Sequence, residues 1–258
     1  KELEKLKESF RNGERSEYII SLLACYESLY MIDKEINFFY QNKSKNKYFN
    51  ELLLLQIKEP QKEKDLSTTI TQYGEIEDSV SVKVKDQYEE NPYPRWRYNS
   101  YSKENKLNIF SAINSEIYPS HIEPEESEKK DSKTNILIAG CGTGIQIIEA
   151  TRYDNYEITA IDLSNSSISY AKRKVEEYGL ENINLFEMDI LEIKQLKQDF
   201  ELIECSGVLH HMKNPTIGLS NLLGVLKPNG YIKLGLYSKY AREVVTRIRE
   251  LIKKEGIE

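Results

Sequence analysis

Three glycines spaced two apart, Gly140, Gly142 and Gly144, follow directly on a short apolar run at 136–139. Glycine carries no Cβ, so such a turn can bend tightly and let a ligand lie against bare backbone. Asp162 stands eighteen residues past the last of these glycines, where a second apolar run ends, and a carboxylate there can accept both hydroxyls of an adenosine ribose. A third run ends in Met188-Asp189-Ile190. There Asp189 can accept from an adenine amino group while Met188 or Ile190 packs on the ring. A fourth run leads into Ser206, Gly207 and then the pair His210 and His211, side chains able to take up a proton near neutral pH. The chemistry these residues could do is to cradle a nucleotide and, beside it, to move a proton. The plainer readings are a capping aspartate and a structural, hydrogen-bonded histidine.

The elements that must hold these residues alternate. Strands are expected at 136–139, 158–161, 183–188, 200–205 and 231–236, and helices at 143–153, 164–178, 214–226 and 239–254. Ser164, Asn214 before Pro215, and Ser238 are suitable helix caps, and Gly179 a suitable stop. This alternation is that of an α/β fold with a doubly wound parallel sheet, which binds ligands at the carboxyl ends of its strands where strand order reverses. The first helical amides after the glycines would point back over the turn. A dinucleotide fingerprint would need a further glycine at Ile145, so a nicotinamide site is the weaker alternative.

Ahead of this domain, residues 1–60 read as helical. The stretch 16–30 is dense in Tyr, Ile and Leu, Asp33 could cap a helix through 40, and Asn50 could cap another that stops before Pro60. Residues 61–75 read as polar linker. In 76–91, Val80, Val82 and Val84 alternate like a strand, while Ile76, Val80, Val84 and Tyr88 are four apart like a helix; a cap at Asp78 and a stop at Asn91-Pro92 favour helix. The segment 87–96, Gln-Tyr-Glu-Glu-Asn-Pro-Tyr-Pro-Arg-Trp, crowds two prolines, two tyrosines and the single tryptophan together. It is either a rigid connector or a displayed aromatic surface. A helix is expected at 103–117, and the acidic stretch 119–133 is the best domain boundary. The expected organisation is a helical region 1–75, a connector 76–133 and an α/β domain 134–258.

Formal net charge is −6 and the isoelectric point about 5.4, which disfavours a polyanion such as nucleic acid as partner. The longest purely apolar run, 52–55, is too short to span a bilayer, so a soluble, cytoplasmic protein that does not engage membranes is expected. Cys25, Cys141 and Cys205 are far apart and lack zinc-site spacing, so no metal is expected.

Taken in order, Ile-Ala-Gly-Cys-Gly-Thr-Gly (138–144), Ala-Ile-Asp-Leu-Ser (160–164), Glu-Met-Asp-Ile (187–190), Ser-Gly-Val-Leu-His-His-Met (206–212) and Leu-Lys-Pro-Asn-Gly (226–230) resemble the class I S-adenosylmethionine (SAM)-dependent methyltransferases, near their small-molecule-type subgroup. The resemblance covers about 134–240. It implies a Rossmann-like methyltransferase fold, SAM as cofactor with S-adenosylhomocysteine as product, and a small-molecule acceptor. It implies cofactor contacts from Gly140, Cys141, Gly142, Thr143, Gly144 and Gln146 in the first turn. Further contacts are implied at Asp162 and Leu163, at Met188, Asp189 and Ile190, and at Ser206 and Gly207. His211 and His210 are the candidate catalytic bases. The segment 87–96 is similar to that of a bacterial methyltransferase group with helical N-terminal regions, which implies a lid or substrate role for Tyr88, Tyr93 and Arg95.

There are departures. Many members place an acid two residues before the first glycine, toward the methionine ammonium; here that residue is Ile138. A complete class I sheet also has two further strands after the helix that starts near 239. The resemblance therefore implies a sheet lacking its last two strands: either the chain ends ahead of them, or a partner chain or second copy covers the exposed edge of the fifth strand. Two alternatives stay open: a SAM-binding, non-catalytic partner or regulatory module, and a methyltransferase acting on protein or peptide.

Overall fold

The computed structural model describes residues 1–32, 44–99, 106–123, 133–238 and 240–256. The chain divides into two compact units, Lys1–Thr69 and Ile70–Glu258.

The first unit is helical. It contains α1 (Glu2–Arg11), α2 (Glu17–Tyr26), α3 (Leu29–Ile32), α4 (Lys47–Leu53) and α5 (Glu59–Ser67). The Ser16 hydroxyl accepts from the Ile19 amide and starts α2, and Phe10, Ile20, Leu23, Leu29, Phe49, Leu53 and Ile57 form its core. The aromatic stripe is therefore partly core, although Tyr18 and Tyr26 are exposed. The helix expected to begin at Asn50 begins earlier, because Asn46 accepts from the amides of Tyr48 and Phe49. It also does not stop before Pro60. A wide turn, Leu54–Lys58, absorbs the register change, and Pro60 sits in the first turn of α5, where a missing N–H costs little. The helix expected to start at Asp33 lies outside the described residues.

The second unit is a six-stranded, all-parallel sheet in the order β1-β4-β3-β2-β5-β6. Its strands are β1 (Thr71–Tyr73), β2 (Thr134–Ala139), β3 (Tyr156–Asp162), β4 (Ile183–Met188), β5 (Phe200–Ser206) and β6 (Leu226–Gly235). Its helices are α6 (Ser79–Glu90), α7 (Ile109–Ile117), α8 (Ile145–Ala150), α9 (Asn165–Glu177), α10 (Pro215–Leu223) and α11 (Glu243–Lys254). Successive side chains of a strand face opposite sides. Ile136 and Ile138 accordingly enter one apolar core with Ile158 and Ala160, while Leu137 and Ala139 enter the other with Ile161 and Ile203. Burial on both faces is why these strands read as continuous apolar runs. Order reverses at β2, which lies between β3 and β5, so the reversal falls at the glycine turn.

Two elements, β1 and β6, differ from expectation, and a third, α6, settles an ambiguity as expected. β1 lies in the stretch read as linker; it is three residues long and polar, too short for any periodicity, and it is held by pairing to β4 and by Tyr73 against Phe186, rings 5.0 Å apart. α6 resolves the ambiguity of 76–91 as helix, with Asp78 accepting from Val80 and Ser81. The turn Lys227-Pro-Asn-Gly230 lies inside β6 as a bulge: Phe200 pairs with Leu226 but Leu202 already with Tyr231, and Asn229 is left-handed at φ +64°. β6 and β1 are the two sheet edges among the described residues.

Beneath the sheet, buried Tyr153 donates to Glu204 on β5 at 2.7 Å, and Arg152 donates to the same phenol at 2.8 Å. Burial and the Glu204 carboxylate push the Tyr153 phenol up, so it stays a donor. Removing that hydroxyl leaves a buried carboxylate short of a partner. Tyr153→Phe is expected to lower unfolding free energy by about 1–3 kcal/mol, measured by urea denaturation; an unchanged midpoint would contradict this role for the pair.

Candidate functional site

At the end of β2 the amides of Gly140 and Cys141 both donate to the Ile161 carbonyl, each at 2.9 Å. The turn then passes through three left-handed glycines, with φ of +78°, +50° and +89°. Their reasons differ. A Cβ on Gly140 would lie 2.1 Å from Val208, and one on Gly144 would lie 2.7 Å from Ala171 of α9. Both are close-packing positions. A Cβ on Gly142 would meet nothing nearer than the Tyr93 carbonyl at 3.8 Å, so this glycine is the one that leaves backbone bare.

The Gly142 amide donates to Asp162 Oδ2 at 2.8 Å, and the Ser164 amide to Oδ1 at 3.0 Å. Burial raises the pKa of Asp162, against the lowering pull of these amides and with a further push from Glu89. Asp162 thus ends β3 as a half-buried acceptor whose oxygens are aligned but not saturated. At the end of β4, Asp189 is buried and caps a short 3₁₀ turn through the Leu191 amide at 2.9 Å. At the end of β5, the Ser206 carbonyl accepts from Gln146 Nε2 at 3.4 Å.

One pocket joins these strand ends. It brings together Gly140, Cys141, Gly142, Thr143 and Gln146 with Asp162 and Leu163, then Met188, Asp189 and Ile190, and on the far side Ser206, Gly207 and His211. Tyr88 and Tyr93 close it from the connector. Gly144, His210 and Arg95 are not on its wall. Gly144 turns into the α8–α9 contact. The His210 ring packs on Tyr237 with centroids 3.9 Å apart, its pKa lowered by burial, then by His211 and Arg242. Arg95 lies over the Tyr170 ring, 4.8 Å from its centre. Sequence reasoning missed Ser81, Val84, Pro94, Ile145, Ser167, Val208 and Met212 as lining residues. For Ser81 and Val84 a signal existed: they stand seven and four residues before Tyr88, on one face of a helix.

The connector is tied down at many points. Glu89 at the end of α6 accepts from the amides of Asn165 and Ser166, at 2.5 and 3.1 Å, and so caps α9 from outside. Thr143 donates its hydroxyl to the Pro94 carbonyl at 2.5 Å, and the Trp96 indole donates to the Thr143 carbonyl at 3.1 Å. Tyr170 donates to the Trp96 carbonyl, and Lys174 to the Arg97 carbonyl at 2.8 Å. Trp96 and Arg95 pack on α9, while Tyr88, Tyr93 and Pro94 form pocket wall.

The polar lining fits a nucleoside with a further polar end. Asp162 and Asp189 can accept hydroxyl and amino donors, and two buried atoms on the wall, Gln146 Oε1 and Ser167 Oγ, have no hydrogen-bond partner. An unpaired buried polar atom is costly, and a ligand group relieves it. The Tyr88 phenol, half-buried near Asp162 and Tyr237, is pushed up by burial and by those neighbours and so stays protonated.

Residues 136–230 match the family described as "Methyltransferase domain". An uncharacterized protein of Synechococcus sp. is 32% identical over 122 residues, covering 46% of this chain and 29% of its own length. A ubiquinone biosynthesis O-methyltransferase of Rickettsia felis is 30% identical over 146 residues, covering 56% of this chain and 59% of its own. The chain thus spans less than two thirds of the length of these curated relatives. Among solved structures, magnesium protoporphyrin IX methyltransferase of Synechocystis PCC 6803 with bound SAH aligns over 67% of this chain and 80% of its own, at 17% identity and a TM-score of 0.46.

The two kinds of glycine can be told apart. Gly144→Ala combines a left-handed backbone with a clash and is expected to destabilise by about 2–4 kcal/mol, whereas Gly142→Ala, strained but unobstructed, should cost about 1 kcal/mol. Chemical denaturation of both variants checks the order; equal losses would refute it.

Proposed function

We propose that this pocket binds SAM and serves methyl transfer to a small-molecule acceptor, a reading supported by the match of residues 136–230 to the methyltransferase-domain family. The observation that carries the reading is the joining of Gly142, Asp162, Asp189 and Ser206, four successive strand ends, in one pocket. Asp162 takes the ribose hydroxyls and Asp189 the adenine amino group, with Met188 and Ile190 against the ring. Bound SAM supplies a methyl group on a sulfonium already activated for in-line displacement.

What the chain must add is alignment and exclusion of water. Tyr88, Tyr93 and Pro94, which line the pocket, suit that task. The relatives named for ubiquinone biosynthesis O-methylation support an acceptor that presents a hydroxyl. Such an acceptor must lose a proton, and His211, on the pocket wall, is the proposed base. His210, packed on Tyr237, would hold the His211 ring, whose centroid is 4.2 Å away.

Calorimetry with SAM and S-adenosylhomocysteine tests the reading. Asp162→Ala should weaken both at least about tenfold; absence of heat with the unmodified protein would sink the proposal. With Asp162 raised by burial, the carboxyl holds its proton more tightly folded than unfolded. Its own contribution to stability is present below the unfolded pKa and is lost as pH rises through the folded one. Ligand binding runs the other way. S-adenosylhomocysteine affinity should begin to fall on acidification above the ordinary aspartate range, and Asp162→Asn should flatten that fall. With a phenolic acceptor, His211→Gln should lower turnover about a hundredfold without changing S-adenosylhomocysteine affinity.

A further inference from the structure

A ligand whose adenosine lies at Asp162 and Asp189 has its other end directed across the sheet. The ends of β4, β3, β2 and β5 stand side by side, so Asp189 and Ser206 are three strand spacings apart, about 14 Å. An elongated cofactor crossing the glycine turn therefore brings its amino-acid end to β5. The position from which an acid would meet an ammonium there is Ile138, which is fully buried in the apolar core and has no polar side-chain atom to give.

At that end stands Gln146. Its Nε2 faces the Ser206 carbonyl, which can only accept, so the amide is oriented with nitrogen toward Ser206. This leaves Oε1 buried on the pocket wall with no partner. A carboxamide oxygen in that state calls for a donor, and an alkylammonium offers three. We propose that Gln146 Oε1, with the Ser206 carbonyl beside it, is the acceptor for the cofactor's α-ammonium and takes over the task of the acid absent at Ile138. The assignment rests on the SAM reading given above and specifies one end of that ligand. A neutral amide beside a charged donor makes a stronger hydrogen bond than a neutral pair does.

Three probes separate the ends of the ligand: S-adenosylhomocysteine, its deaminated analogue that keeps the carboxylate, and 5′-methylthioadenosine, which lacks the amino-acid portion. Calorimetry with Gln146→Leu should show S-adenosylhomocysteine weakened about tenfold, with the other two probes unchanged. Gln146→Glu should bind S-adenosylhomocysteine at least as tightly as the unmodified protein. Retained 5′-methylthioadenosine binding also reports that the variant pocket is folded. Equal losses for all three probes, or S-adenosylhomocysteine affinity indifferent to Gln146→Leu, overturns the assignment while leaving the SAM reading standing. Failure of the unmodified protein to bind any of the three overturns both.

Discussion

The hydrogen bond from the Gly142 amide to Asp162 is the interaction on which the site depends. It can form only because β2 and β3 run parallel, in register, and end at the same level, so that the first turn after one strand meets the last residue of the next. The same carboxylate takes the Ser164 amide at the head of α9. One side chain thus joins the glycine turn, the end of β3 and the start of a helix. Its position comes at an electrostatic cost, since a half-buried carboxylate near Glu89 is disfavoured as an anion and the backbone amides of Ser164, Gly142 and Leu163 offset this only in part.

Around that bond the connector is arranged as a strap. Glu89, Pro94, Trp96 and Arg97 each hydrogen-bond to α9 or to the glycine turn, and the Trp96 ring packs on the rings of Tyr170 and Tyr178, with centroids 6.3 and 6.0 Å away. Tyr88, just before the first of these anchors, and Tyr93, between them, line the pocket. Residues that anchor the connector and residues that line the pocket therefore alternate within ten positions of the chain. A wall held this closely to α9 suits a ligand that must be shielded from water.

The order of the sheet also gives the pocket direction. Acidic side chains end β3 and β4, on one side of the glycine turn, while β5 contributes a backbone carbonyl and leads on to His211. The two ends of the pocket are chemically unlike, so an elongated ligand with unlike ends has one favoured orientation.

Much of this was legible in the chain itself. Periodicity and capping residues located five of the six strands, the helix at 79–90 and the acids at the strand ends, because those signals are local: an apolar run buried on both faces, an Asp or Ser before a helix, a glycine where φ must be positive. What the residues could not reveal was which neighbours they would meet. Gly144 looks like Gly142 in the chain, yet only the approach of Ala171 makes it a packing position. His210 looks like His211, yet Tyr237 withdraws one and leaves the other on the wall. The three-residue strand at Thr71–Tyr73 has no pattern of its own and exists because β4 offers it an unpaired edge. The sequence by itself determined most of the succession of elements, though not β1, and which side chains stand at the strand ends, since both follow from contacts within a few residues. The tertiary structure alone decided which of those residues share a pocket, because that depends on strand order and on side chains brought close from distant parts of the chain.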